Sequence, residues 1–199
     1  MTPRLPPAER DLVERSELLD ALGMTRVLRR MAFEILERSG PEAYMVGIRT
    51  GGAFLAERMV RLLGDAGERP PTCGAVDITL YRDDVFHGLP KPEIGPTDLP
   101  DSIDGRTVVL VDDVLYTGRT VRAAMDVLAD YGRPRTVQLA ALIDRGRREL
   151  PIQPDYVGVR VQTSANQSVR VMLSEKGEAD RVVLRERAAE GTKNEGRTP

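Results

Sequence analysis

At 199 residues the chain is long enough to bury one sizeable hydrophobic core. Its single cysteine, Cys73, excludes an internal disulfide. No apolar stretch is long enough to span a membrane or is followed by a leader cleavage site, so a cytoplasmic location with no membrane partner is expected. A net charge of -2 argues against nucleic-acid binding by bulk electrostatics and leaves only a local basic face for that role.

Residues 1–15, with three prolines among the first ten, are expected to be a flexible tail ahead of a folded domain spanning 16–187. Asp20 stands where it can cap a helix whose Val27, Leu28, Met31, Ile35 and Leu36 line one apolar face, with Gly40 and Pro41 as the stop. Residues 44–48 read as the first buried strand, 49–52 as a tight loop and 53–63 as the following helix, which together make one β-loop-α unit. Val76, Ile78 and Leu80 alternate as a further strand. Residues 83–105 hold four prolines and three glycines in a long polar stretch, expected to be a lid or disordered.

Residues 107–120, TVVLVDDVLYTGRT, carry the strongest signal. The continuous β-branched and apolar run at 108–111 is the pattern of a strand buried on both faces of a parallel sheet. Val121, Met125 and Leu128 recur at helical spacing before Gly132 and Pro134, so a helix begins at about Thr120. Residues 137–143 make another buried strand. Segments 169–173 and 181–185 flank Glu175, Lys176 and Gly177 as a closing hairpin, and 188–199 is a polar tail expected to be disordered. Strands alternating with helices predict an α/β fold with a central, mainly parallel sheet flanked by helices, a lid loop and a C-terminal hairpin.

The turn after the buried strand suits a sugar phosphate. Gly118 permits close backbone approach, Thr117 and Thr120 offer hydroxyls, and the first amides of the helix point at the anion. Asp112 and Asp113 repel phosphate. At the carboxyl end of a strand, their acceptor-only oxygens suit neighbouring ribose hydroxyls.

This segment resembles the phosphoribosyl diphosphate (PRPP) binding motif of type I phosphoribosyltransferases. Three further blocks, VGIRTGGAFLAER at 46–58, DITLYRDD at 77–84 and DRGRRELPIQPDYVG at 144–158, are similar to the bacterial bifunctional pyrimidine operon regulators that double as uracil phosphoribosyltransferases. That resemblance runs over residues 18–185. It implies transfer of the ribosyl phosphate of PRPP to uracil, giving UMP and pyrophosphate. Mg²⁺ would be held through PRPP rather than by protein ligands. By the same resemblance Asp112 and Asp113 hold the ribose hydroxyls, while Val114, Leu115, Tyr116, Thr117, Gly118, Arg119 and Thr120 wrap the 5′-phosphate. Thr50, Gly51 and Gly52 face the departing pyrophosphate, and Asp144 and Arg145 lie where the base is recognised, unless they form only a turn with a surface ion pair. Arg82 is either the residue that closes over the leaving group or a solvated loop charge.

The chain departs from the family pattern at Gly51, where arginine is usual. One charge-assisted phosphate contact is therefore missing, with Arg49 and Arg82 as the available substitutes. The resemblance also implies a second role, binding of pyrimidine operon leader mRNA with UMP or UTP present, which attenuates transcription. Arg26, Arg29 and Arg30 on the first helix, with Arg147 and Arg148 after the base loop, are the candidate contacts, the alternative for each being an exposed solvated face. Arg160 stands nearby. Homodimers or homotetramers are implied as well. Tyr116 covers the ligand or packs on its own turn, His87 has no partner at metal-ligand spacing, and Cys73 reads as a small core residue. Two competing functions remain open: an RNA-binding attenuator that uses the PRPP site mainly as a nucleotide sensor, and a phosphoribosyltransferase for another base.

Overall fold

The computed structural model describes residues 12–81 and 96–187. A five-stranded parallel sheet has the order β3-β2-β4-β5-β6, from β2 (Tyr44–Ile48), β3 (Thr72–Val76), β4 (Thr107–Leu115), β5 (Thr136–Asp144) and β6 (Tyr156–Arg160). All five residues of β2 are buried, as are residues 108–112 of β4, because helices cover both faces. On one face α1 (Ala21–Ser39) and α2 (Gly51–Asp65) bury Met24, Leu28, Met31, Leu55, Met59 and Leu63 against Val109, Val111 and Leu142. On the other, α3 (Arg119–Tyr131) packs Val121, Val127 and Leu128 against Val46, Val108 and Leu110.

Local signals set the helix ends. Asp20 caps α1, its Oδ1 accepting from Gly23 N at 2.6 Å, and Gly40 ends the helix with its N–H donating to Leu36 O. Gly118, at φ 93°, occupies the left-handed region immediately before α3, a conformation that side chains avoid. None of the helices in the described residues is long and apolar enough to cross a membrane.

A second, antiparallel sheet sits beside the first. Its order is β1 (Leu12–Leu19), β8 (Arg181–Arg187), β7 (Gln167–Met172). The expected C-terminal hairpin is β7 and β8, joined through a 3-10 turn at Ser174–Lys176. The expected tail over 1–15 is corrected from Leu12 onward, since residues 12–15 lie in β1, where Leu12 pairs with Arg187 and Glu14 with Arg185. This strand is mostly exposed, so it lacks the apolar run that marks a buried one. The strand expected through Val76, Ile78 and Leu80 lies earlier, at β3, while Thr79–Tyr81 form a 3-10 turn with Leu80 outside. The long polar stretch is ordered at its far end: Asp98 exchanges backbone hydrogen bonds with Ala75, and Ile103 is fully buried. Arg82, His87 and the 188–199 segment fall outside the described residues, as does the chain before Leu12.

Candidate active site

Three loops leave the carboxyl ends of β2, β4 and β5, the edge of an open parallel sheet where ligands bind. Each brings one part of the predicted site.

The loop after β2 is short. Arg49 and Thr50 are joined by a cis peptide, and α2 begins at once with Gly51 and Gly52. Both glycines are required by close approach. A Cβ on Gly52 would run into the carbonyl of Val111, and one on Gly51 would run into the carboxylate of Asp113. The start of α2 is therefore pressed against the end of β4. Arg49, considered above as a substitute cation, turns to the side, and its Nε donates to Pro96 O at 2.9 Å.

Asp112 and Asp113 lie within β4. Asp112 is 5% exposed; its Oδ1 accepts from Asp113 N at 3.0 Å, while its Oδ2 is buried with no hydrogen-bond partner. Burial pushes the Asp112 carboxyl well above the usual carboxylate range, and the neighbouring Asp113 charge pushes it further. Asp113 is also raised by burial, with the Lys176 ammonium pulling the other way. An unmet buried acceptor is unfavourable unless something donates to it. Ribose hydroxyls are such donors.

Beyond Leu115 the chain turns through Tyr116, Thr117 and Gly118 into α3. Gly118 supplies no side-chain cap, and Thr117 Oγ1 accepts from Arg119 N at 3.3 Å, so it is the amides after Arg119 in the first turn that can face an anion. The turn is braced from the next loop: Thr117 O accepts from Glu149 N at 3.0 Å and Leu150 N at 3.1 Å, and Arg119 Nε donates to Glu149 Oε2 at 2.8 Å.

The loop after β5 is organised by Arg148, which the sequence offered as a surface cation. The structure corrects that reading. Its side chain is 11% exposed and its guanidinium faces inward, with Nη2 on Asp144 Oδ1 at 2.6 Å, Nη1 on Tyr116 O at 3.0 Å and Gly146 O at 3.2 Å, and Nε on Ile152 O at 2.9 Å. Carbonyls of two loops are thereby tied to one cation. Asp144 is correspondingly buried and spent on Arg148 and Gly146 N. Arg145 stacks over the Tyr116 ring, 3.9 Å from its centroid, and reaches Thr163 Oγ1 at 3.2 Å and Gln167 O at 2.7 Å. Burial lowers its guanidinium from the ordinary value. Tyr116 thus packs against a residue of the loop after β5 and remains 37% exposed.

Among the other basic candidates, Arg30 stays exposed on α1 while its Nη2 donates to Val157 O at 2.9 Å and Gly158 O at 2.8 Å. Arg147 Nε donates to Thr163 O at 2.9 Å. Arg26 and Arg29 stand exposed on α1. Arg58, which no local sequence signal marks, joins α2 to the turn between β7 and β8 through Glu175 and Asp180.

Comparison with known proteins agrees with this geometry. The family model for the phosphoribosyl transferase domain matches residues 14–175. The chain is 49% identical over 175 residues to the bifunctional protein PyrR of Thermoanaerobacter sp. (strain X514), covering 87% of this chain and 98% of that protein. It is 53% identical over 171 residues to that of Chloroflexus aurantiacus, covering 84% and 93%. The chain belongs to the PyrR family of phosphoribosyltransferases. The same fold occurs in the hypoxanthine-guanine phosphoribosyltransferase of Bacillus anthracis, at TM-score 0.64 and 17% identity over 87% of this chain and 99% of that one. It occurs too in the hypoxanthine phosphoribosyltransferase of Trypanosoma cruzi, at TM-score 0.65 and 17% identity over 88% and 98%. At such identity these two speak to the fold alone.

Proposed function

We infer that the chain transfers the 5-phosphoribosyl group of PRPP to uracil, forming UMP and pyrophosphate, and that it regulates pyrimidine operon expression through leader mRNA. The observation that carries the catalytic half is the position of the buried Asp112 carboxylate, with one oxygen unpartnered, and the half-buried Asp113 between the two-glycine start of α2 and a start of α3 whose N-cap glycine brings no side chain.

Asp112 and Asp113 accept from the ribose hydroxyls. Thr117, Gly118 and the first amides of α3 receive the 5′-phosphate. Thr50, Gly51 and Gly52 face the diphosphate at C1, with no side chain at the glycines to keep it away. The base lies against the loop after β5, whose backbone is held by Arg148 and whose Arg145 and Tyr116 form a stacked wall. Substitution at C1 needs no covalent protein nucleophile, so the residues act by holding the ribose between phosphate and leaving group. The donor-poor, acceptor-rich carboxylate pair fits a sugar bound together with a divalent cation, and Mg²⁺ carried by PRPP would neutralise charge on the diphosphate. Arg82, outside the described residues, is proposed to close over the leaving group.

For the regulatory half, exposed Arg26 and Arg29 on α1 lie beside β6, to which Arg30 pins the helix, and β6 ends in exposed Arg160. These cations support binding to RNA phosphates, with Arg147 contributing from the adjoining loop. Arg30 and Arg148 act by shaping this face. Competition of uracil with guanine for PRPP tests the base, and uracil alone is expected to be consumed. Binding to a pyrimidine leader stem-loop, measured against a scrambled RNA with UMP present, tests the regulatory role; equal affinity for both would refute it.

A further inference from the structure

The turn after β4 and the loop after β5 meet on one guanidinium. On the side of the turn, Arg148 donates from Nη1 to Tyr116 O at 3.0 Å. On the side of the loop it donates from Nη1 to Gly146 O at 3.2 Å, from Nε to Ile152 O at 2.9 Å and from Nη2 to Asp144 Oδ1 at 2.6 Å. Its side chain is 11% exposed, so these bonds form where water competes little and are correspondingly stronger.

The loop also rests on the turn directly. Glu149 N and Leu150 N donate to Thr117 O, and a Cβ on Gly118 would stand 3.4 Å from Leu150 Cβ and Ile152 Cβ. Residues 149–152 therefore seat against the turn read as the 5′-phosphate site, while residues 144–146, read as the base site, hang from the same cation. Tyr116 adds a second tie, since its carbonyl accepts from Arg148 and its ring stacks with Arg145, whose guanidinium lies 3.9 Å from the ring centroid. The spacing between the two halves of the site is thus set by a planar fork whose three nitrogens each reach a different segment. A lysine ammonium in its place is a point charge, able to pair with Asp144 without spanning to Tyr116 and Ile152.

We propose that Arg148 is a positioning residue that holds the base loop at a fixed distance from the 5′-phosphate turn, so that one nucleotide engages both. The assignment rests on the PRPP and UMP reading above. Arg148 itself meets no substrate atom and acts through the backbone of Tyr116, Gly146 and Ile152. A ligand that spans the two segments depends on their spacing, and one that occupies only the turn does not. UMP, with its base and 5′-phosphate, is of the first kind; PRPP, which has no base, is of the second.

Calorimetric titration of the full chain with UMP, and separately with PRPP plus Mg²⁺, tests it on the wild type, Arg148→Lys and Arg148→Met, with urea unfolding of each. Arg148→Lys keeps a cation for Asp144, which guards the fold, and gives up the fork. Both variants should bind UMP about tenfold or more weakly and hold PRPP within about threefold of wild type. Unchanged UMP binding in Arg148→Lys overturns the assignment, as does equal weakening of UMP and PRPP, the result of a merely structural role. If Arg148→Met does not fold, Arg148→Lys decides alone; loss of fold in both variants also overturns it, leaving Arg148 a residue of stability only. A wild type to which UMP or PRPP does not bind defeats the reading of the site itself, which failure in the variants alone leaves standing.

Discussion

The carboxylate of Asp113 fills the space directly over Gly51, so that any side chain at position 51 must displace the group proposed to hold the ribose. In this chain the Asp113 side chain occupies the room that a side chain at position 51 would need. Gly51→Ala should lower kcat/KM for PRPP by about tenfold to a hundredfold, equivalent to about 1.4–2.7 kcal/mol, with little change in Tm. Gly51→Arg should fare no better, despite its added charge. Steady-state kinetics at varied PRPP check both, and a gain of activity in the arginine variant would show that Asp113 moves aside freely.

Gly52 answers to a different neighbour. Its added Cβ would meet the backbone of Val111 and Asp112, which cannot rotate away as a side chain can. Gly52→Ala should therefore cost stability as well as activity, about 3 kcal/mol by urea unfolding.

Asp112 carries a stability effect of the opposite sign. Because burial raises its folded-state pKa, the folded protein binds the proton more tightly than the unfolded chain does. That contribution is present below the ordinary carboxylate range and is lost as pH rises through the raised value. At neutral pH an ionised Asp112 is thus unfavourable. Asp112→Asn, which keeps an acceptor for Asp113 N, should stabilise the protein by about 1–2 kcal/mol at pH 7 and abolish PRPP turnover. The gain should shrink toward acid pH. Unfolding curves across pH would show it, and a destabilised variant at pH 7 would contradict the account.

Glu175 and Asp180 behave the other way. Hydrogen bonds from Arg58 hold both carboxyls below their ordinary values. Their contribution is present above the ordinary carboxylate range and is lost as pH falls through the lowered values. Arg58→Met should cost about 1–3 kcal/mol at pH 7, toward the lower end because the two carboxylates are partly solvated. The difference from wild type should narrow in acid.

How far the sequence could be read depended on whether the signal was local. The strands β2 and β4 are buried on both faces and announce themselves as apolar runs, and Asp20 and Gly118 mark helix starts by their own chemistry. The adjacent carboxylates at the end of β4 and the glycine turn into α3 were legible because they are contiguous. β1 was not, since LVERSELL is an edge strand whose partner lies at the other end of the chain. β3 was misplaced because Cys73 and Gly74 have weak strand preference beside the alternating Val76, Ile78 and Leu80. Arg148 read as a surface charge because a sequence does not tell where a guanidinium will find backbone carbonyls. The Arg58 clamp joins residues more than a hundred positions apart, and no spacing rule reaches that far.

Formation of labelled UMP from uracil, PRPP and Mg²⁺, in the wild type and in Asp113→Asn, tests the central claim most directly. The account predicts turnover by the wild type and its loss in the variant, whose amide replaces the acceptor carboxylate over Gly51. No UMP from a folded wild-type protein, or undiminished turnover in Asp113→Asn, would contradict it.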